Sequence, residues 1–166
     1  MPSSPTHDLI DARAPRFVGG YTFVIAVPAL LLAVLRPVEP GIDDRLLSPE
    51  FALLAVLWLS FGLGTVLGNA AHPFAVVFRI VIRPRLTGAP ELEDPRPPRF
   101  ALLVGFLLST TGLVLHAIGV PFGLATATAF IVIASFLQAF AGFCLGCQVY
   151  LLLVRARVIR PTARAA

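Results

Sequence analysis

Four long apolar stretches dominate the chain, and short polar segments separate them. They cover residues 17–35, 51–67, 100–118 and 122–154. None of the four contains Asp, Glu, Lys or Arg. A backbone that leaves water must satisfy its own hydrogen bonds, and for runs this long and this apolar the economical solution is a helix. The pattern therefore predicts an all-α integral membrane protein with four transmembrane helices.

The stretches also divide the chain into segments. The expected transmembrane domain covers residues 17–154, between an N-terminal segment of residues 1–16 and a basic tail of residues 155–166. Within it, the expected spans are residues 17–35, 51–68, 100–118 and 122–144, and the last continues as a helical extension to residue 154.

A short motif occurs twice, each time directly before an odd-numbered helix. Residues 11–17 read D-A-R-A-P-R-F and residues 94–100 read D-P-R-P-P-R-F, so both fit D-x-R-x-P-R-F. A second correspondence follows the even-numbered helices, where Phe74 aligns with Tyr150. Together they predict two duplicated hairpins that point the same way, related by an axis along the membrane normal.

The duplication predicts how each hairpin ends. Residues 68–73 form a natural break, and residues 74–85 form an Arg-bearing apolar helix suited to the membrane interface. Sliding the second copy onto the first places Cys144 and Cys147 on the equivalent break, so the fourth helix should bend near residues 142–146. A helix from Gly123 to Cys144 rises roughly 32 Å, about one hydrocarbon thickness. We therefore expect the cysteines at the membrane interface.

Charge gives the expected orientation. All 13 basic residues are Arg, against nine acidic residues, and most lie beside the apolar stretches, which is typical of membrane topology and argues against nucleic acid as a partner. Eleven lie in the N-terminal segment, the second loop and the tail, whereas only Arg36 and Arg45 lie in the first loop. Both termini are therefore expected in the cytoplasm.

Cys144 and Cys147 are the only cysteines and the only arrangement with a recognised chemical use. Two cysteines three apart fall on one side of a helix, about 5 Å apart, close enough for a disulfide if the turn relaxes, and Gly146 supplies that slack. We favour a redox or sulfur-handling pair. Two alternatives stay open: packing as small hydrophobes, or metal binding with His72 as the nearest further ligand. Neither a metal nor a cofactor is part of the favoured hypothesis.

Exchange chemistry needs a thiolate, which a helix N-terminus or a nearby Arg favours. A helix that starts near Cys147 would supply the first, and Arg155 and Arg157 would supply the second, although headgroup water would screen them.

Other polar residues are expected to be structural. The motif carboxylates should form ion pairs at the cytoplasmic face, Asp11 with Arg13 and Arg16, and Asp94 with Arg96 and Arg99. Asn69 and Gln138 should make interhelical hydrogen bonds. No span carries a charge, which argues against an ion pathway, and phosphate loops, HExxH, GxSxG and Rossmann fingerprints are absent. Whether the protein is an enzyme is left open.

The motif copies, residues 91–100 (E-L-E-D-P-R-P-P-R-F) and residues 143–153 (F-C-L-G-C-Q-V-Y-L-L-L) resemble a bacterial membrane family catalogued as domain of unknown function 4395. The resemblance covers nearly the whole chain. It implies a small four-span protein of the bacterial inner (plasma) membrane, of a kind often encoded near thioredoxin-like or rhodanese-type sulfurtransferase proteins.

The leading hypothesis is a membrane-embedded thiol protein that exchanges disulfide or sulfane sulfur with such a soluble partner at the cytoplasmic face. Two hypotheses from other classes compete with it: a structural or assembly subunit without catalysis, and a small transporter of sulfur compounds that forms a homo-oligomer to enclose its path.

Overall fold

A computed structural model of the chain describes residues 10–89 and 92–158. In chain order its main elements are β1 (Ile10–Asp11), α1 (Arg13–Leu35), α2 (Ile42–Leu46), α3 (Pro49–Leu67), α4 (Pro73–Val77), β2 (Leu92–Glu93), α5 (Arg96–Ala117), α6 (Gly123–Phe136) and α7 (Leu145–Arg155). A π-helical turn, Phe78–Ile82, extends α4, and another, Leu137–Ala141, extends α6.

The four predicted spans are confirmed. Among the described residues, four helices are long and apolar enough to cross a bilayer: α1, α3, α5, and α6 with its π turn. A third or fewer of the residues in the apolar window of each span are buried inside the bundle. Large apolar side chains such as Leu59, Leu107 and Phe130 therefore face outward. An apolar outer surface of this height suits lipid, so the chain is a multi-pass membrane protein.

The helices pack through small residues at their closest approach. α1 packs mainly on α6, and α3 mainly on α5. Lipid is as apolar as leucine, so burial contributes little between spans and close van der Waals contact must hold them together. Gly112 of α5 illustrates this, because a Cβ there would lie 2.7 Å from Cβ of Ala127 and 3.1 Å from Cδ2 of Leu54.

One end of the bundle is closed by the loop between α1 and α3. Ser48 caps α3 by accepting the N–H of Phe51 at 3.4 Å, and Pro49 follows at the first helical position. The Arg45 guanidinium donates to the carbonyl of Ala117 at 2.8 Å, which ties this loop to the end of α5.

The opposite end collects both copies of the repeated motif; we call it the arginine-rich end. There β1 and β2 pair antiparallel, with Ile10 opposite Glu93. These residues directly precede Asp11 and Asp94 of the two copies. The pairing therefore places equivalent residues of the two motif copies opposite each other. A two-fold axis between β1 and β2 would require this arrangement.

Each motif copy makes the same local contacts. The Asp11 carboxylate accepts the backbone N–H of Arg13 at 3.0 Å, and the Asp94 carboxylate accepts that of Arg96 at 2.9 Å. The motif phenylalanines meet the segments that follow the even-numbered spans: Phe17 contacts Phe78, and Phe100 contacts Tyr150, with ring centroids 5.4 and 5.7 Å apart. By these contacts Tyr150 corresponds to Phe78. The sequence alignment pairs Tyr150 with Phe74, one helical turn earlier. The duplication itself stays a prediction.

The close approach at Gly112 gives a direct test of this packing. The change Gly112→Val should lower the free energy of unfolding by about 1–3 kcal/mol, because overpacking forces α5 away from α3 and α6. Gly20→Val is the matched control, since nothing lies within 4 Å of a Cβ at Gly20 on α1. Denaturant titration in mixed micelles measures both; equal losses in the two variants would contradict this packing.

Candidate functional site

Two chain breaks, which we call elbows, end the two helical hairpins at the arginine-rich end. The first elbow is residues 68–72, between α3 and α4, and the second is residues 142–144, between the π turn after α6 and α7. Each begins at a glycine in the left-handed region, with φ +96° at Gly68 and +65° at Gly142. Glycine adopts this conformation without steric cost, so it ends the helix. The second elbow lies where the sequence predicts the fourth helix to bend.

The two cysteines lie on the second elbow and the first turn of α7. Cys144 is the N-cap residue of α7, and Cys147 lies in its first turn. They form a disulfide, with their Cα atoms 5.2 Å apart. The backbone N–H of Cys147 donates to Sγ of Cys144 at 3.3 Å. Both residues are partly exposed.

Gly146 lies in close contact with α5. A Cβ at this position would lie 2.6 Å from Cβ and 2.7 Å from Cα of Ala101. The first turn of α7 therefore packs directly on the backbone of α5, and glycine permits this approach. The Phe100–Tyr150 contact, one turn further along α7, holds the same two helices together.

Within the part of the chain that the structure describes, an arginine from the first turn of α1 lies against the second elbow. The Arg16 guanidinium lies against Gly142, where a Cβ would be 2.9 Å from both Cζ and Nε of Arg16. One turn earlier on the same π segment, the Gln138 amide donates to the carbonyl of Pro15 at 3.0 Å. The first turn of α1 is thus fastened to the elbow by two side chains.

Arg155 and Arg157 lie far along the chain from Cys144. Arg155 is the last residue of α7, about 16 Å along the helix from Cys144 at ~1.5 Å per residue, and Arg157 follows it. At that distance an exposed charge is largely screened. Arg16, which is remote in sequence, takes their place beside the elbow.

The expected ion pairs are wrong in part. Asp94 does pair with Arg96, at 3.9 Å, but Asp11 pairs with Arg83, at 4.0 Å. Arg16 goes to the second elbow, and Arg99 donates to the carbonyls of Thr65 and Val66 at the end of α3, at 3.1 and 3.4 Å. In each copy, the last arginine of the motif therefore reaches the hairpin end of the other copy.

Both predicted interhelical amides form hydrogen bonds. Asn69, in the first elbow, donates to the carbonyl of Pro95 at 2.9 Å, as Gln138 does to Pro15. Each amide reaches the segment where the odd-numbered helix of the other hairpin begins. Both carbonyls lie where a helix starts, and the helix itself already supplies a donor there, as the backbone N–H of Arg99 does for Pro95 at 3.0 Å. The amides therefore add bonds between the two hairpins.

His72 occupies the N-cap position of α4, as Cys144 does for α7. It is 1% exposed, and its ring lies 5.6 Å from that of Phe74 and 6.2 Å from that of Phe61. Neither ring nitrogen has a hydrogen-bond partner in the protein. Burial lowers the pKa of His72 from 6.5 to about 4, because the apolar surroundings disfavour the charged ring. The imidazole is therefore neutral at physiological pH.

The metal alternative finds no support among the described residues, where no group of three or more His, Cys, Asp or Glu side chains could hold a metal ion. His72 instead packs against α3, since a Cβ on Gly64 would lie 3.0 Å from its ring.

The sequence did not predict that Arg16 lies beside the second elbow. It belongs to the repeated motif, but its contact with Gly142 joins opposite ends of the chain. The one relevant signal in the sequence is that the second arginine of the motif is repeated. The repetition does not indicate which residues this arginine contacts.

Comparison with known proteins identifies the family. The model of the family described as "Domain of unknown function (DUF4395)" matches residues 10–155, so the chain belongs to this family. No curated protein and no solved structure matches the chain.

The buried His72 predicts an acid-sensitive fold. Its folded-state pKa of about 4 lies below the unfolded value of 6.5, so the unfolded chain takes up the proton first. Stability is complete above pH 6.5 and falls as the pH drops towards 4, by up to about 3 kcal/mol. The change His72→Phe should flatten this slope in detergent unfolding experiments between pH 4.5 and 7.5. An unchanged slope in the variant would assign the acid sensitivity elsewhere.

Proposed function

We propose that this DUF4395 protein is a membrane-embedded thiol protein that exchanges disulfide or sulfane sulfur with a soluble thioredoxin-like or rhodanese-like partner at the cytoplasmic face. The observation that carries the proposal is the Cys144–Cys147 disulfide at the start of α7, on an elbow outside the spans. A buried structural disulfide between neighbouring residues would constrain little chain. One at the edge of the bundle can be exchanged.

The geometry assigns different roles to the two cysteines. Cys144 precedes the helix, where the positive end of the helix dipole favours its thiolate. Its sulfur already accepts the N–H of Cys147, a contact that also favours negative charge. Cys144 is therefore the attacking sulfur, and Cys147, one turn into α7, is the resolving one.

The exchange balances as two successive displacements. The Cys144 thiolate attacks a sulfur of the partner's disulfide, forms a mixed disulfide and releases the partner's other sulfur as a thiolate. The thiolate of Cys147 then attacks Cys144 and releases the second partner sulfur. Two electrons pass to the partner, and the Cys144–Cys147 disulfide forms; the reverse sequence reduces it.

Sulfane sulfur follows a similar course. A rhodanese-like partner carries a persulfide, and attack of the Cys144 thiolate on its outer sulfur moves that sulfur onto Cys144. Attack of Cys147 on the Cys144 sulfur then forms the disulfide and releases hydrosulfide, so the pair leaves this course oxidised.

The position of the elbow supports access from water. The span that ends at Ala141 has 19 residues, which rise about 28 Å at ~1.5 Å per residue, close to one hydrocarbon thickness. The next residues therefore emerge at the interface. Phe143 and Leu145, beside the two cysteines, are 43% and 37% exposed, which gives a partner an apolar surface around the disulfide.

The different roles assigned to the two cysteines can be tested by trapping a mixed disulfide. With Cys147→Ser, the remaining Cys144 should accumulate a mixed disulfide with a thioredoxin-like protein, because no resolving thiol remains. With Cys144→Ser, the complex should be at least several-fold less abundant. Non-reducing electrophoresis measures both. Equal trapping would contradict the assigned roles, and no trapping together with unaltered cell physiology in both variants would support a structural subunit.

Accessibility is tested separately. A charged, membrane-impermeant maleimide added to inside-out vesicles should label the cysteines only after reduction, since the disulfide protects both sulfurs beforehand. Right-side-out vesicles are the matched control and should stay unlabelled. Cysteines that remain unreactive after reduction would return the pair to a packing role.

The distribution of arginines between the two ends of the spans predicts the orientation of the protein in the membrane. Among the described residues, nine arginines lie at or beyond the arginine-rich end of the spans, and Arg36 and Arg45 lie at the other. By the positive-inside rule the arginine-rich end faces the cytoplasm. A reporter active only outside the cytoplasm should therefore give no signal when fused to the C-terminus, and a signal when inserted between α1 and α3. The opposite pattern would invert the topology.

A further inference from the structure

The geometry points to Arg16 as a positioning residue that stabilises the thiolate of Cys144 by its charge and holds the second elbow by its contact with Gly142. This inference rests on the proposed function and deepens it, because it names what tunes the attacking sulfur. Nothing in the motif predicts this role, since Arg16 and Gly142 belong to opposite ends of the chain.

The Arg16 side chain lies in close contact with Gly142. The Arg16 guanidinium occupies the place that a side chain on residue 142 would take, with Cζ and Nε both 2.9 Å from that Cβ position. Gly142 has φ +65°, so its backbone is turned in a way that only glycine adopts readily. The bond from Gln138 to the carbonyl of Pro15 fixes the same turn of α1. Arg16 is thereby held in register with the elbow.

The guanidinium is also near enough to act on Cys144. Gly142 and Cys144 are two residues apart, so their Cα atoms are at most about 7 Å apart. Adding the reach from Gly142 puts the charge within about 12 Å of the Cys144 Cα. Arg16 is exposed, so its charge acts most strongly at low salt, where the Debye length exceeds this distance. With an effective dielectric constant of about 20 to 80 at the interface, one positive charge then favours a thiolate by about 0.3 to 1 pKa unit.

No opposing charge sits on the neighbouring helices. α1, α5, α6 and α7 contain no carboxylate. Their other titratable groups are Arg13 and Tyr21 on α1, Arg96, Arg99 and His116 on α5, and Tyr150 and Arg155 on α7.

These other groups have different places in the fold. Arg13 lies near Gly88, and Arg96 pairs with Asp94. His116 is at the far end of α5, where it meets Ser48, and Arg155 ends α7. Arg16 is therefore the cation that the described contacts bring onto the second elbow.

The other hairpin supplies a matched control. Arg99 holds the same position in the second motif copy as Arg16 in the first. It donates to the carbonyls of Thr65 and Val66, just before the first elbow, which carries no cysteine. Loss of either arginine removes one clamp at the arginine-rich end, but only loss of Arg16 should change the chemistry of Cys144.

The test is the pH dependence of Cys144 alkylation in nanodiscs. The full chain carries Cys147→Ser so that one thiol remains, and iodoacetamide is the probe. Adding Arg16→Gln should move the midpoint upward by about 0.3 to 1 unit, which slows alkylation about two- to tenfold below the midpoint. Adding Arg99→Gln should leave the midpoint unchanged. A midpoint unaffected by Arg16→Gln, or shifted equally by both changes, would overturn the inference.

Two further measurements separate charge from folding. Arg16→Lys retains a positive charge without the planar contact, so it should recover part of the shift; no recovery would overturn the role of charge. In the chain with Arg16 intact, raising the salt from 0.05 to 1 M should move the midpoint upward by screening, and an unchanged midpoint would overturn it as well.

Failure of the proposed function would look different. In that case the Cys147→Ser variant would trap no thioredoxin-like partner, even where Arg16→Gln moves the alkylation midpoint.

Discussion

Every backbone N–H and C=O that enters the bilayer must find its partner within the chain, and the rest of this structure follows from that requirement. Inside the spans the helices satisfy it themselves. At the helix ends they cannot, and there side chains take over. Arg99 donates to the carbonyls of Thr65 and Val66 near the end of α3, and Arg45 donates to the carbonyl of Ala117 at the end of α5. The polar side chains are concentrated where the helices stop.

This requirement gives the repeated motif a physical meaning. Its aspartate accepts the backbone N–H of the residue two positions later, and its last arginine reaches the end of the other hairpin. Its phenylalanine packs on the segment that follows the even-numbered span of the same hairpin. The two hairpins are therefore fastened to each other in a reciprocal way. In the first copy, the last arginine of the motif, Arg16, places its guanidinium against Gly142, two residues from a cysteine. The chemistry proposed for Cys144 therefore depends on a contact between the two hairpins.

The two elbows share a construction and differ in what they hold. Each begins at a glycine with positive φ and ends at the N-cap of a helix. His72 fills that position in the first elbow, buried among aromatic rings and neutral. Cys144 fills it in the second, partly exposed and bonded to Cys147. One elbow is thus packed into the bundle, while the other presents its sulfur atoms at the edge, which is the difference that a site of exchange requires.

The sequence by itself determined the four spans, because long runs without a charge have one stable solution in lipid. It also predicted the bend near Gly142, since the repeat aligned the cysteines with the break after α3. The partners of Arg16 and Arg99, the packing of Gly146 on Ala101 and the burial of His72 were decided only by the tertiary structure. Periodicity and local motifs record which residues a segment can place on a helix. They do not record which distant segment meets them, because that depends on how four helices pack against one another.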